Sequence, residues 1–393
     1  MKKLTIGLFG FGTVGQGLFQ VLQKSKTVDA QIKRICIKNP DKKRSINASY
    51  FTTNAEDILS DPDINLVVEL IDNAENSYRI VKTAMQRGKS VVSGNKAMLA
   101  VHMAEMIELQ KKHNVALLYD ASACGSIPVI RNLEEYYDND LLTSVTGILN
   151  GSSNYILTKI FQHGESYEKA LKEAQDLGFA ESNPSFDVDG YDSLYKLVIL
   201  TVHAFGIIIS PDEVFNFGIS NLSDFDIKYA KEKGRKIKLV ARVGKLDDNK
   251  ISLYVMPRML TPDLYIYSVE EEYNGVVIRG QFYDKQFMFG KGAGALPTGS
   301  SVLSDITARF HDYRYEYKKF NAPNPPKYAT DNLIEVYLRY RNVSDFEHFR
   351  FAEISEKYVS SENSYVIGKI RLSNLLSIKS LLPSMDIFLA AMN

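Results

Sequence analysis

Asp192 and Lys196 stand four residues apart at the head of the apolar run Leu197-Val198-Ile199-Leu200, directly behind a loop, Gly178 to Asp192, that carries four carboxylates. On a helix that spacing puts carboxylate and ammonium on one face. The apolar run sets the lysine beside a buried surface, where an ammonium is tunable as a proton donor. By itself an Asp/Lys pair at this spacing is ordinary helix decoration, and the acidic loop before it is what turns the reading toward chemistry. A second constellation is Gly10-Phe11-Gly12-Thr13-Val14-Gly15, a G-x-G-x-x-G that follows the apolar stretch Leu4 to Phe9 and opens a helical pattern. Gly10 permits a tight turn, Gly12 lets the backbone approach a pyrophosphate, and Gly15 lets helix and strand pack closely, with the helix N-terminus receiving the anion. The ligand implied is a dinucleotide.

Which dinucleotide is read at the end of the second strand, where an acidic residue would hold a ribose 2′-hydroxyl. The sequence there is Ile37-Lys38-Asn39-Pro40-Asp41-Lys42-Lys43-Arg44. Asp41 falls late in the turn, and the basic cluster suits a 2′-phosphate, so NADP is favoured over NAD. Lys42, Lys43 and Arg44 also read as a plain solvated loop.

The elements that must position these groups follow from periodicity. Strands fit 4–9, 31–37, 65–71, 90–93 and 115–119, and helices fit 14–22, 80–85 and 103–109 between them. That alternation predicts an α/β, Rossmann-type, doubly wound parallel sheet over residues 1–125. After Gly125 the alternation stops. Strands at 144–149, 238–243, 251–256, 276–282 and 286–289, with helices at 153–162, 167–177, 191–205 and 225–233, predict an α+β domain over 126–299, with 300–330 packing back onto the first domain. Gly244 to Asn249 reads as a hairpin turn.

At 393 residues the chain has room for two or three domains. Lys+Arg and Asp+Glu both number 47, so no net field attracts nucleic acid or an anionic membrane. Cys36 and Cys124 are too few for a disulfide framework or a thiolate metal site and fit a reducing compartment. The lysines of MKKLTIGLFGFGTVG imitate a leader, but glycines interrupt its apolar stretch. The most apolar region, 194–209, holds Lys196 and His203 and falls short of a membrane span. The expectation is a cytoplasmic protein with neither membrane nor nucleic-acid partners.

Five ordered motifs are similar to those of the homoserine dehydrogenase family: Gly10 to Gly15, Gly94-Asn95-Lys96-Ala97, Gly147-Ile148-Leu149-Asn150-Gly151-Ser152-Ser153-Asn154-Tyr155, Glu181 to Lys196, and Gly290-Lys291-Gly292-Ala293-Gly294-Ala295-Leu296-Pro297-Thr298-Gly299. The resemblance covers residues 1 to about 310 and implies NAD(P)H-dependent reduction of L-aspartate 4-semialdehyde to L-homoserine, toward threonine and methionine. It implies that Lys196 is the proton donor with Asp192 its partner and Lys96 a further active-site lysine. It also implies that Glu181 and Asp187, with Asn150, Gly151 and Ser152, bind the substrate. Ser93, Lys96, Lys38, Gly292 and Gly294 are expected to join Gly10 to Gly15 at the cofactor. The resemblance further implies a monovalent cation, Na+, on the carbonyls of Val145, Gly147 and Leu149, and a homodimer or homotetramer is expected, with the middle domain as the dimerisation domain. The chemistry fits independently, since hydride attack on an aldehyde leaves charge on oxygen that a cation stabilises and protonates, while carboxylates suit an ammonium group. The nicotinamide carries the redox step without a metal. The chain departs from the family at Asp72-Asn73-Ala74-Glu75-Asn76, at Asn183, at Ser152-Ser153, and at about Leu142, where the family's acidic residue is missing.

Residues 331–393 are expected to form a small α+β module, with strands at 334–340, 365–370 and 386–390 and helices at 346–356 and 372–381. The order resembles an amino-acid-binding ACT domain with one strand too few. Two rival functions remain. Ala121-Ser122-Ala123-Cys124-Gly125 resembles the nucleophile turn of thioester-forming semialdehyde dehydrogenases, but no suitable His follows at a recognisable position, and a small buried cysteine is the favoured reading. A non-enzymatic dinucleotide sensor would have no use for Glu181, Asp192 and Lys196.

Overall fold

A computed structural model describes residues 3–177, 179, 180 and 183–392. The chain divides into two compact units: Met1–Asp138 with Lys291–Lys318, and Asn139–Gly290 with Lys319–Asn393. In the first, strands β1 (Leu4–Phe9), β2 (Ala30–Cys36), β3 (Phe51–Thr52), β4 (Leu66–Glu69), β5 (Ser90–Ser93) and β6 (Leu117–Leu118) form a parallel sheet in the order β3-β2-β1-β4-β5-β6. Ile6, Leu8, Leu66, Val67, Val68, Val91 and Val92 are wholly buried, which explains why these strands read as continuous apolar runs. Helices α1 (Thr13–Lys24), α2 (Glu56–Leu59), α3 (Ala74–Gln86), α4 (Lys96–His113), α5 (Ala121–Cys124) and α6 (Val129–Glu135) belong to this unit. Strand order reverses between β1 and β4, and ligands of such sheets bind beyond the carboxyl ends of the strands at that switch point.

The second unit opens with β7 (Leu142–Ile148), α7 (Gly151–Thr158), α8 (Tyr167–Asp176), α9 (Ser185–Val188) and α10 (Tyr191–Phe205), followed by β8 (Phe215–Asn216) and α11 (Asp224–Glu232). The hairpin β9 (Lys236–Leu246) and β10 (Lys250–Leu260) turns on Asp248 and Asn249, both at positive φ, and its strands run longer than their apolar cores suggest. β11 (Tyr273–Gly280) and β12 (Asp284–Lys291) follow. β7 lies between β11 and β9, pairing Ile148 with Gly275 and Gly147 with Ala241. Ile148, Val240, Leu260, Ile266, Val269 and Val277 pack into one apolar cluster on this sheet.

The chain then returns to the first unit as α12 (Ala295–Phe310), which lies against α1 so closely that a Cβ on Gly17 would collide with the Ala295 carbonyl and one on Gly299 would meet the Gly17 backbone at 2.6 Å. The remaining residues add β13 (Lys327–Tyr328), β14 (Leu333–Tyr340), α13 (Val343–Phe346), β15 (Phe351–Tyr358), β16 (Ser364–Arg371), α14 (Leu372–Ser377) and β17 (Ile387–Ala391) to the second unit. Its sheet runs β12-β11-β7-β9-β10-β17-β14-β16-β15 among the described residues.

The expected helix at 346–356 is overturned, because Phe351–Tyr358 is a strand paired antiparallel to β16 and only Val343–Phe346 is helical. Phe346, Phe349 and Ile354 mimic helical spacing, while β15 is an edge strand whose faces are largely exposed, so burial imposes no clean alternation. The expected helix at 372–381 stops at Ser377. β15 supplies the strand that seemed missing from this region. β14-α13-β15-β16-α14-β17 is then a split β-α-β arrangement in the order β17-β14-β16-β15. Its edge strand β17 continues the sheet of the second unit through Ala391 against Arg258 of β10.

Candidate active site

α10 is apolar on nearly every side, with Leu197, Val198, Ile199, Leu200 and Val202 buried. Its one charged pair is therefore drawn in with it. Lys196 is 7% exposed and Asp192 3%. The Lys196 Nζ donates to Asp192 Oδ2 at 2.7 Å and to the Leu149 carbonyl at 2.7 Å. Leu149 directly follows β7, and Asn150 after it caps α7 by accepting from the Ser153 N–H at 2.8 Å. The Asn150 Nδ2 donates at 2.7 Å to Asp187 Oδ1 and at 2.9 Å to Asp192 Oδ2. Both amide hydrogens of Asn150 are thus spent on carboxylates. The β7–α7 junction holds the lysine with a backbone oxygen and its carboxylate partner with a side chain.

Of the other residues expected here, Gly151 lies so close to its neighbour that a Cβ on it would sit 2.6 Å from the Glu272 carbonyl oxygen. Ser152 donates to the Phe179 carbonyl at 2.5 Å. Val145 and Gly147 lie inside β7, paired on both sides. Glu181 lies outside the described residues. Sequence reasoning missed Asn274, whose Nδ2 donates to the Leu149 carbonyl at 3.0 Å. It also missed the support beneath it. Lys238, 1% exposed in mid-strand, donates to Val269 O and Glu270 Oε2 at 2.7 Å and to Asn154 Oδ1 at 2.9 Å. Burial pulls its ammonium down to about 8 against the opposing pull of Glu270. Asn154 in turn donates to the carbonyls of Val269, Glu271 and Tyr273, fixing the approach to β11. An asparagine in a strand and a lysine within an apolar strand were the available signals.

In the first unit Gly10 adopts φ +92°, and a Cβ there would sit 2.5 Å from the Leu70 carbonyl. A Cβ on Gly15 would collide with the Gly10 carbonyl, whereas one on Gly12 would meet nothing within 4 Å. Gly12 is the N-cap of α1, with no side-chain cap and no acidic residue in the first turn. Open space over uncapped N–H groups is the cradle a pyrophosphate needs, so these residues fit a dinucleotide. Phe11 is buried and packs edge-on against Phe19 and Phe51, and Thr13 and Val14 begin α1.

Ser93, wholly buried at the end of β5, donates to Glu69 Oε2 at 2.6 Å. Burial pushes the Glu69 carboxyl up, opposed by hydrogen bonds that include those from Ser93 and the Ile71 N–H. Asn95 caps α4, whose first residue is Lys96. Beyond β2, Lys38, Lys42 and Lys43 are exposed, while Arg44 donates to the carbonyls of Lys42 and Asn39 and lies 5.1 Å over the Phe51 ring. Gly292 packs against Gly125, and Gly294, at φ +119°, caps α12. Cys124 is wholly buried, which removes the access a thioester-forming nucleophile requires. No helix among the described residues is long and apolar enough to cross a membrane.

A parallel sheet in dinucleotide-binding order, with its glycine turn open to a phosphate, and a separate mixed sheet carrying a buried lysine–carboxylate centre define an oxidoreductase with a nicotinamide-dinucleotide-binding domain. Residues 10–120 match the family model of the homoserine dehydrogenase NAD-binding domain, and residues 128–307 that of homoserine dehydrogenase. The chain is 35% identical over 358 residues to the homoserine dehydrogenase of Bacillus subtilis (strain 168), across 86% of this chain and 82% of that one. A crystal structure of a homoserine dehydrogenase from Thiobacillus denitrificans superposes with TM-score 0.85 at 28% identity, over 100% of this chain and 98% of that one. A hyperthermophilic archaeal homoserine dehydrogenase solved in complex with NADPH superposes with TM-score 0.69 at 27% identity, over 80% of this chain and 99% of that one. The chain belongs to the homoserine dehydrogenase family.

Proposed function

We propose that the chain interconverts L-aspartate 4-semialdehyde and L-homoserine with a nicotinamide dinucleotide as hydride carrier. The observation that carries this reading is the buried ammonium of Lys196, tethered at 2.7 Å to both Asp192 and the Leu149 carbonyl. Of its three N–H groups, two are spent on those acceptors, and the third is assigned to the aldehyde oxygen. There the ammonium stabilises the negative charge that develops and then delivers the proton. Asp192 holds the lysine, Asn150 holds Asp192 and Asp187, and Asp187 with Glu181 receives the substrate ammonium group.

The first unit takes the dinucleotide, which when bound supplies the hydride. The Gly10 to Gly15 turn and the first turn of α1 receive its pyrophosphate; Ser93, Lys96, Gly292 and Gly294 are assigned to its nicotinamide side. Lys38, with Lys42 and Lys43, is assigned to a 2′-phosphate, favouring NADP; Arg44 is already engaged by carbonyls of its own loop. A cation on the carbonyls of Val145, Gly147 and Leu149 would have to share an oxygen that already accepts from Lys196 and Asn274. Initial rates on aspartate semialdehyde with NADPH and with NADH test reaction and cofactor together. Turnover with NADPH above that with NADH is expected, and absence of turnover with either overturns the function.

A further inference from the structure

The Leu149 carbonyl is shared by two donors, Lys196 Nζ at 2.7 Å and Asn274 Nδ2 at 3.0 Å. Asn274 is the second residue of β11 and wholly buried, and its Oδ1 has no partner among the described residues. Asparagine is depleted in strands, and a buried amide oxygen left unpaired costs stability. Turning the amide over would set two oxygens against each other at Leu149. A residue that suits its strand poorly and leaves half its amide unsatisfied is not accounted for by the fold. Its N–H on the Leu149 carbonyl is what it contributes, and that oxygen is the anchor of the reactive lysine.

The anchor matters because a lysine ammonium is a point charge on a flexible four-carbon stem. Asp192 Oδ2 and Leu149 O take two of its N–H directions and thereby aim the third. A carbonyl gripped from one side only can tilt, and the ammonium tilts with it. Asn274 is itself held rigidly, since Asn154 ties the carbonyls of Val269, Glu271 and Tyr273 immediately before it, and buried Lys238 ties Asn154.

We propose that Asn274 is a positioning residue for the reduction, fixing the Leu149 carbonyl so that the free N–H of Lys196 points at the substrate oxygen. The inference rests on Lys196 as the proton donor. Its test is steady-state kinetics and thermal unfolding of Asn274→Leu and Asn274→Ser beside Lys196→Met, with NADPH and aspartate semialdehyde. A misplacement of the order of 1 Å costs up to about 100-fold, so kcat should fall at least about tenfold in both Asn274 variants. KM for the aldehyde should stay within roughly threefold, and the Tm of Asn274→Leu should hold or rise, because an unpaired buried oxygen is removed. A kcat near that of the wild type in both folded variants overturns the proposal. So does a kcat loss that follows a fall in Tm, or failure of both to fold, since each marks a structural residue. Near-normal kcat in Lys196→Met removes the acid assignment and this inference with it. Impaired Lys196→Met beside normal Asn274 variants removes this inference alone.

Discussion

Replacing Lys196 by methionine deletes the ammonium while keeping an unbranched apolar stem in its buried position. General acid catalysis is typically worth about 10²- to 10⁴-fold, or about 3–5 kcal/mol of activation free energy. The same change leaves Asp192, whose side chain is 4% exposed, with the Asn150 donor at 2.9 Å. Breaking a buried ion pair costs about 3–5 kcal/mol of stability, and the surviving hydrogen bond places the loss at the lower end. The two effects are similar in size, so a fall in activity alone does not separate chemistry from folding. The double variant Lys196→Met/Asp192→Asn does. It removes both charges and keeps an acceptor for Asn150, so stability should return to within about 1–2 kcal/mol of the wild type while kcat stays low. The assay is kcat by NADPH absorbance with urea unfolding of the wild type, both singles and the double. A folded Lys196→Met with kcat within tenfold of the wild type, or a double variant whose kcat recovers along with its stability, refutes the role given to the lysine.

Reversing Lys38, Lys42 and Lys43 to glutamate should weaken NADPH binding by about tenfold or more and leave NADH nearly unchanged; a fluorescence titration showing equal losses removes the 2′-phosphate assignment. Cys124→Ala should keep kcat at a stability cost of about 1 kcal/mol, and a covalent acyl adduct seen by mass spectrometry in the wild type would restore the thioester reading. Burial and the neighbouring Asp120 push the Asp305 carboxyl up to about 7, against the pull of Arg131. Between its ordinary range near 4 and that value the folded protein binds more protons than the unfolded chain, so this group makes stability fall as pH rises through the window. Asp305→Asn should therefore flatten the decline measured by urea unfolding from pH 4.5 to 7.5, and an unchanged or steeper decline contradicts the assignment.

What could be read from sequence was whatever has local causes. The glycines of the Gly10 to Gly15 turn announce themselves because close backbone approach excludes other residues, and strands buried on both faces have no choice but to be apolar. Helix Tyr191–Phe205 was bounded correctly because Gly190 and Gly206 flank it, both at positive φ. The Asp192–Lys196 pair was visible for a related reason, since helical spacing alone joins those two side chains. The second acceptor of that lysine was invisible, because a backbone carbonyl has no residue type. Asn274 and Lys238 were missed because what makes them unusual is burial, and burial is set by residues up to 125 positions away. Strand β15 was misread because an edge strand is free of the packing that writes alternation into a sequence.

The tight seating of α12 on α1 also sets a schedule for the protein's birth. Gly17 is covered by Ala295 and Gly299, yet those residues are made long after α1. At ribosomal speeds of roughly 5–20 residues per second, the intervening stretch takes about 15–50 s to emerge. For that time the first sheet stands with one helix bare along its glycine face, while the whole middle of the second unit is synthesised. The nascent chain needs a holding partner, or a tolerance of a half-built layer, during an interval that a contiguous domain of the same size would not have.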